Sequence, residues 1–477
     1  MGKKIFVLMP DGVSLRNFAY TSFYKDGVAK GYEVVFWNST PFDLEALGFP
    51  QRILKPGKLA RWTDLLKAAR IRVELALFEQ RDNDPIYKGY LFPLSKASLK
   101  AKVKSAIIRF YVKRYGSEKG LNRLRERIKR GERSTAYYEA CKAVLEKEKP
   151  DLLYCASQRS VQTIAPLLAA QALGIPTAAF IFSWDNVPKA TTIVETDYYF
   201  AWSDLMKEQL LHYNQYIENS QILVTGTPQF SPHYDQDIYL DRSIFCKQIG
   251  VDPDDKLICF SGDDFTTSPK DELYLRDVAS AARSLKESGL PVKIVFRRCP
   301  VDFSERYAAV ISEYSDVIVE VPPLWKRIGD GWNTILPTLE DIHLQVNLMR
   351  HCEGVINLGS SMVFDAVAHK KPCAYMNYNY LNVQNEYTHG VYVYDFVHFR
   401  SMPSKEAVLW LEHPESITDV LQQMLDTPET TVKAAQDWFD IIHKQPAHSS
   451  SDRIWNGIDK ILNKQPITNN QQPTTKD

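Results

Sequence analysis

The sequence predicts an α/β protein made of two doubly wound domains that face each other across a cleft. Three observations carry that prediction. Strand–turn–helix–strand units recur in both halves of the chain. A polar stretch, Ser231 to Asp241, separates one series of such units from the next. The rhythm is lost only between about residues 41 and 149, where long, basic helical patterns take over. At 477 residues, 44% hydrophobic and 24% charged, the chain is long enough to bury two to three cores.

Taken in order, Lys4 to Met9 reads as a strand, Pro10 to Ser14 as a turn, Leu15 to Ala29 as a helix and Glu33 to Trp37 as a strand. That is how a parallel sheet opens. After the basic stretch, strands are expected at Asp151 to Cys155, Pro176 to Phe182, Tyr198 to Trp202 and Ile222 to Thr225, with helices at Ser160 to Leu173 and Ser203 to Tyr213. The second series has strands at Lys256 to Phe260, Pro291 to Phe296 and Val317 to Val321, with helices at Asp271 to Ser288 and Glu340 to Arg350. Lys405 to Leu462 reads as helices, whose Trp438, Phe439, Ile441, Ile442, Trp455, Ile458 and Ile461 would pack across the domain boundary. The expected domains are therefore 1–230, with its insertion, and 242–440, followed by helices at 441–462. The tail at 463–477, rich in Gln, Asn, Thr and Pro, is expected to be disordered.

The formal net charge is zero, but Lys96 to Arg133 carries fourteen Lys/Arg against three Glu. Leu99, Val103, Ile107 and Phe110 recur there at helical spacing among Lys100, Lys102, Lys104, Arg109 and Lys113. Such a helix suits an anionic membrane surface, and it equally describes a solvated hairpin packed on its own domain. No aromatic-interleaved basic platform accompanies it, so nucleic acid is not an expected partner. The most apolar long window, Ile164 to Phe182, contains Gly174 and Pro176 and divides into a helix and a strand rather than a membrane span. The seven cysteines are scattered without a C-x-x-C pair, and the start MGKKIFVLMP lacks signal-peptide character. The expected place is the cytoplasm, peripheral to the inner face of the membrane.

The clearest local signal is Val355 to Tyr378, VINLGSSMVFDAVAHKKPCAYMNY. Val355 to Leu358 reads as a buried parallel strand broken by Gly359, and Ser360 and Ser361 supply cap chemistry for a helix through about His369. A turn of this kind presents free backbone N–H groups and the positive end of a helix dipole to an anion. Asp365, four residues after Ser361 and on the same face, suits the two hydroxyls of a ribose beside a diphosphate. An ordinary capped helix in an α/β protein has the same pattern.

With these features in hand, the chain resembles the GT-B superfamily of nucleotide-sugar-dependent glycosyltransferases over roughly residues 3–40 and 150–462. The resemblance is carried by KIFVLMPDGVSLRN, by VTGTPQF before the linker and by GSSMVFDAVAHKKP in the second domain. Ser360-Ser361-x-x-Phe364-Asp365 is also similar to the form in teichoic acid glycerol- and ribitol-phosphate polymerases, which use CDP-linked donors. It implies two Rossmann-like domains, with Gly359, Ser360, Ser361 and Asp365 on the donor. Two departures matter: the ribose position, often Glu in sugar transferases, is Asp365, and the expected R-x-H-P reads Arg297-Arg298-Cys299-Pro300. No histidine role carries over. UDP-sugar 2-epimerases share the fold, but their carboxylate and histidine set is not placed on this sequence.

Glycosyl transfer from such a donor needs cations or N–H groups on the leaving diphosphate, a base at the acceptor and a dry cleft. Ser261 and Gly262 after one strand, Arg297 and Arg298 after another, and Trp325 in a loop complete the expected donor side. A guanidinium pairs two phosphate oxygens at once, although a surface ion pair is the competing use of both arginines. With these groups carrying the charge, neither a metal nor a cofactor is expected. Asp11, straight after the first strand, and Asp185, in Ser183-Trp184-Asp185-Asn186, are rival acceptor bases, and Asp11 equally suits a simple Asp-Gly turn. The function expected is sugar transfer from a UDP-linked donor to a glycan or lipid-linked acceptor in surface polysaccharide assembly. The alternatives are a CDP-alditol phosphotransferase of the teichoic-acid kind and a non-catalytic, membrane-associated scaffold.

Overall fold

The computed structural model describes residues 2–329, 334–380 and 390–463. Its first sheet contains β1 (Lys4–Met9), β2 (Glu33–Asn38), β3 (Gln51–Ile53), β4 (Leu152–Cys155), β5 (Thr177–Phe180), β6 (Tyr198–Ala201) and β7 (Ile222–Val224). They lie in the order β3-β2-β1-β4-β5-β6-β7, all parallel. The second sheet begins with β8 (Lys256–Ser261), β9 (Val292–Arg297) and β10 (Ile318–Glu320). A separate antiparallel ribbon, β11 (Lys326–Arg327) and β12 (Ile335–Leu336), follows. The sheet resumes with β13 (Gly354–Asn357), β14 (Cys373–Met376) and β15 (Leu409–Leu411), giving the parallel order β10-β9-β8-β13-β14-β15.

Strands such as β1 and β4 are buried along nearly their whole length, as strands covered by helices on both faces must be. In each sheet the order reverses beside the first strand of the domain, between β1 and β4 and between β8 and β13. Ligands of open α/β sheets bind at the carboxyl ends of the strands at such reversals.

Several local expectations change. The helix expected at Leu15 to Ala29 is two helices, Gly12–Phe18 and Phe23–Ala29. The chain turns between them because Thr21 Oγ1 bonds back to the Asn17 carbonyl at 2.7 Å and then takes the Phe23 N–H. The insertion opens with a strand, β3, too short to show a period, which pairs with the edge of β2. Lys405 to Leu462 is not helical throughout: β15 precedes the helices Ile417–Asp426, Glu429–Ile442 and Ser450–Asn463. Asn463 ends that last helix, and the rest of the expected tail lies outside the described residues.

The insertion is anchored rather than free. Buried Arg70 pairs with Glu74 at 2.9 Å and donates to the Thr192 and Ile193 carbonyls, while Arg125 and Lys129 both pair with Glu195. The terminal helix reaches back to the first domain, where Trp455 stacks on Phe23 and Tyr32 at 4.8 and 4.9 Å. Trp438 meets Trp184 and Phe439 meets Phe230, whereas Ile441 is 36% exposed and takes no such part. No helix among the described residues is long and apolar enough to cross a membrane. All seven cysteines are free.

Candidate functional site

The carboxyl ends of the two sheets enclose a cleft of about 250 Å³. On the second domain, the loops after β8 and β13 meet at the sheet reversal, where Asp263 Oδ2 accepts the Leu358 N–H at 3.2 Å. Gly359 follows with φ +72°, and a Cβ there would stand 2.9 Å from Val393 Cγ2. That left-handed turn is open to glycine at little cost. Ser360 N–H donates to Asn357 Oδ1 at 2.8 Å, which closes the turn before the helix Met362–Ala368. Ser361 already has helical backbone angles and makes no cap hydrogen bond, so its hydroxyl is not spent on the helix end expected for it. Both serines line the cleft.

Asp263 and Asp271 form a close carboxylate pair behind this turn. Burial pushes both carboxyls up, their mutual repulsion adds to the rise at Asp263, and Asp271 reaches about 6. Tyr307 donates to Asp271 Oδ2 at 2.8 Å.

At the end of β9, Arg297 Nη2 donates to both carboxylate oxygens of Asp341, each at 2.9 Å. Asp341 also accepts the Leu324 N–H at 2.8 Å and Trp325 Nε1 at 2.7 Å, so it holds the loop and the indole as well as the guanidinium. Arg297 is 5% exposed, and its Nη1 is buried with no hydrogen-bond partner among the described residues. Arg298 pairs with Glu320 at 2.7 Å, so its competing surface use is realised, although it still borders the cleft.

The first domain contributes Arg16 from the helix Gly12–Phe18. Asp11 caps that helix: Oδ1 accepts the Ser14 N–H and the Ser14 hydroxyl, both at 2.9 Å. Burial pushes the Asp11 carboxyl up and the Ser14 bonds pull it part of the way back. Gly12 is required by close approach, since a Cβ there would lie 2.3 Å from the Ile335 carbonyl oxygen of the opposite domain. Arg16 Nη2 donates to Gln229 Oε1 at 3.3 Å and Nε to Asn17 Oδ1 at 3.3 Å. No carboxylate among the described residues lies within 4.0 Å of it. Burial lowers its pKa, against the more distant fields of Asp365, Asp341 and Asp11.

His233 joins the walls. Its Nε2 lies 2.7 Å from Asp365 Oδ1, its Nδ1 lies 3.0 Å from His369 Nε2, and Gln345 Nε2 donates to the same Asp365 oxygen at 3.1 Å. Because a carboxylate only accepts, His233 donates from Nε2. Burial, and then the nearness of His233, push His369 down to about 3.

Of the residues expected from sequence, Ser261, Gly262, Arg297, Arg298, Trp325, Ser360, Ser361 and Asp365 line one cleft. Gly359 shapes its turn from behind. Asp11 and Asp185 do not line it: Asp11 caps a helix and Asp185 pairs with Lys189. Burial pushes the Asp185 carboxyl up, but Lys189 and His398 outweigh it and hold it well below the usual range. Trp184 is 8% exposed and packs edge-on against Phe364 and Trp438. Sequence reasoning missed Arg16, Gln345, Asp341 and His233. The last lies inside the stretch read as a linker, and Thr338-Leu339-Glu340-Asp341 has helix-start spacing that explains Asp341 without any ion pair.

The fold has solved counterparts. A protein from Listeria monocytogenes assigned as a UDP-N-acetylglucosamine 2-epimerase matches 98% of this chain and 99% of its own at 14% identity, with a TM-score of 0.54. Another UDP-N-acetylglucosamine 2-epimerase covers 98% of each chain at 14% identity and a TM-score of 0.50. The wall teichoic acid polymerase TagF covers 96% of this chain and 88% of its own at 12% identity and a TM-score of 0.48. No protein-family model matches the chain, and no curated protein matches it by sequence. The chain has the two-domain GT-B fold.

Proposed function

We propose that the chain is a nucleotide-sugar-dependent glycosyltransferase that moves a sugar from a nucleoside diphosphate, UDP first among them, to a glycan or lipid-linked acceptor of a surface polysaccharide. The observation that carries this reading is a pair of guanidinium groups from opposite domains. Among the described residues Arg16 has only neutral hydrogen-bond partners, and Arg297, although paired with Asp341, keeps a buried N–H without one. A buried guanidinium without a counter-ion and a buried N–H without an acceptor are both costly, and a diphosphate would complete the two.

Ser360 and Ser361 would add hydroxyl donors, and Trp325, fixed by Asp341, would offer its ring to the base. Asp365 would take the ribose. Neither rival base lines the cleft, but burial raises the Asp11 carboxyl whereas Lys189 and His398 hold Asp185 low, which makes Asp11 the one to test. This scheme uses protein cations where other transferases use a metal.

Protection of the full chain against heat by UDP, CDP and GDP tests the site. Protection by UDP, weakened in Arg16→Gln and Arg297→Lys, is expected; no protection by any of the three ends the reading. Product analysis then separates outcomes: acceptor-dependent UDP release means transfer, and an altered sugar still linked to UDP means epimerisation. Binding without turnover supports the scaffold. Asp11→Asn keeps a good helix cap, so lost transfer at an unchanged melting temperature isolates the carboxylate's chemical role.

A second reading, a CDP-alditol phosphotransferase, is favoured by the Ser360-Ser361-x-x-Phe364-Asp365 pattern. Protection by CDP alone would select it.

A further inference from the structure

The helix Leu99–Tyr115 packs on its own domain through Ser105, Ile108 and Tyr111, which are buried. A second apolar row runs along the opposite face. Leu99, Val103, Ala106 and Phe110 follow a spacing of four, three and four residues, about half a turn away from the packed row. Leu99 is 80% exposed, Val103 51% and Phe110 64%, and Phe92, in the chain leading into the helix, is 78% exposed. Ile107, expected in this row, is instead partly buried against the core.

Lys100, Lys102, Lys104, Arg109, Lys113 and Arg114 flank the exposed row on both sides, and the helix contains no acidic residue. Among the described residues none of these cations forms an ion pair, whereas Arg125 and Lys129 on the next helix are neutralised by Glu195. The fold thus neutralises the inner cations and leaves the outer ones with their apolar row.

We propose that this face docks on an anionic phospholipid bilayer, with Phe92, Leu99, Val103 and Phe110 at the boundary of headgroups and acyl chains and the cations on lipid phosphates. Charge complementarity selects this occupant. A second copy would set cation rows against each other, which opposes association. The proposal is independent of the nucleotide site.

The test is flotation of the full chain with vesicles of phosphatidylcholine alone and of phosphatidylcholine mixed with phosphatidylglycerol. The chain is expected to float only with the anionic vesicles and to be released at about 1 M salt, where the screening length is about 3 Å. Replacing Lys102, Arg109 and Lys113 together by alanine should weaken partitioning roughly a hundredfold. Leu99→Ser with Phe110→Ser should also release the protein, and the exposure of both side chains predicts an unchanged melting temperature. Equal recovery from both vesicle types, or retention of the parent at high salt, overturns the proposal. So does self-association of the parent without vesicles that the serine pair abolishes.

Discussion

His233 Nε2, from the segment between the two domains, donates to Asp365 Oδ1 of the second domain across 2.7 Å. The same oxygen accepts from Gln345, so the carboxylate proposed for a ribose already has two protein donors on one side. A carboxylate offers about four lone-pair sites, which leaves Oδ2 for a ligand. Asp365→Asn is therefore expected to cut nucleotide affinity by roughly tenfold to a hundredfold, the worth of hydrogen bonds to a charged acceptor. His233→Ala leaves the carboxylate but removes the tie between the connecting segment and the second domain. It should spare most of the affinity while increasing the radius of gyration. Calorimetric titration and small-angle scattering on both variants check this; a larger affinity loss in His233→Ala would make the histidine a direct ligand.

Asp341 neutralises Arg297 in a setting where each is nearly inaccessible, with side chains 3% and 6% exposed. Removing one partner of a buried pair leaves an uncompensated charge at a cost of about 3–5 kcal/mol. Asp341→Asn keeps the shape and should cost toward the lower end, read as a lower denaturation midpoint. Trp325→Phe loses one hydrogen bond to the same carboxylate and should cost less, about 1.5–3 kcal/mol. The reverse ranking would mean that Asp341 serves the indole more than the guanidinium.

Gly359→Ala meets two penalties at once. A left-handed backbone costs a non-glycine residue roughly 1–2 kcal/mol. The new methyl would also lie 2.9 Å from Val393 Cγ2 and 3.1 Å from Phe399 Cζ. Relief requires moving the turn that carries Ser360 and Ser361, so nucleotide binding is expected to fall along with stability. Titration at a temperature where the variant is still folded separates the two effects.

Much of this arrangement is legible because the buried strands are near-continuous apolar runs that end in polar residues or Gly, as in Ser261-Gly262, Arg297-Arg298 and Gly359-Ser360. Those ends place Ser261, Arg297 and Ser360 at a sheet margin before any coordinates exist. What stayed hidden depends on the other domain. Ser231 to Asp241 is polar and lacks a period, so it reads as a linker, yet it folds into short turns that bury His233 against Asp365. Arg16 carries no local sign that its neighbours will be neutral. β3 and β15, of three residues each, are too short for periodicity to register. The exposed row on Leu99–Tyr115 was visible as amphipathic spacing, but which of its apolar residues face inward is decided by the neighbouring helix.

The carboxyl pair behind the serine turn predicts a pH dependence of definite sign. Burial raises Asp271 from 3.8 to about 6, and burial with the nearby Asp271 and Asp264 charges raises Asp263 as well. Between those two values the folded chain holds a proton at Asp271 that the unfolded chain has released. This group's contribution to stability is therefore complete below about pH 3.8 and is lost as pH rises through about 6. Asp271→Asn keeps an oxygen for the Tyr307 hydroxyl and removes the ionisation. Relative to the parent it should gain on the order of 1–3 kcal/mol at neutral pH and nothing in acid. Denaturant unfolding of both proteins from about pH 4 to about pH 8 gives the difference directly. Parallel curves would mean that the Asp263–Asp271 contact carries no ionisation cost. The junction of the loops after β8 and β13 would then owe its shape to hydrogen bonds alone.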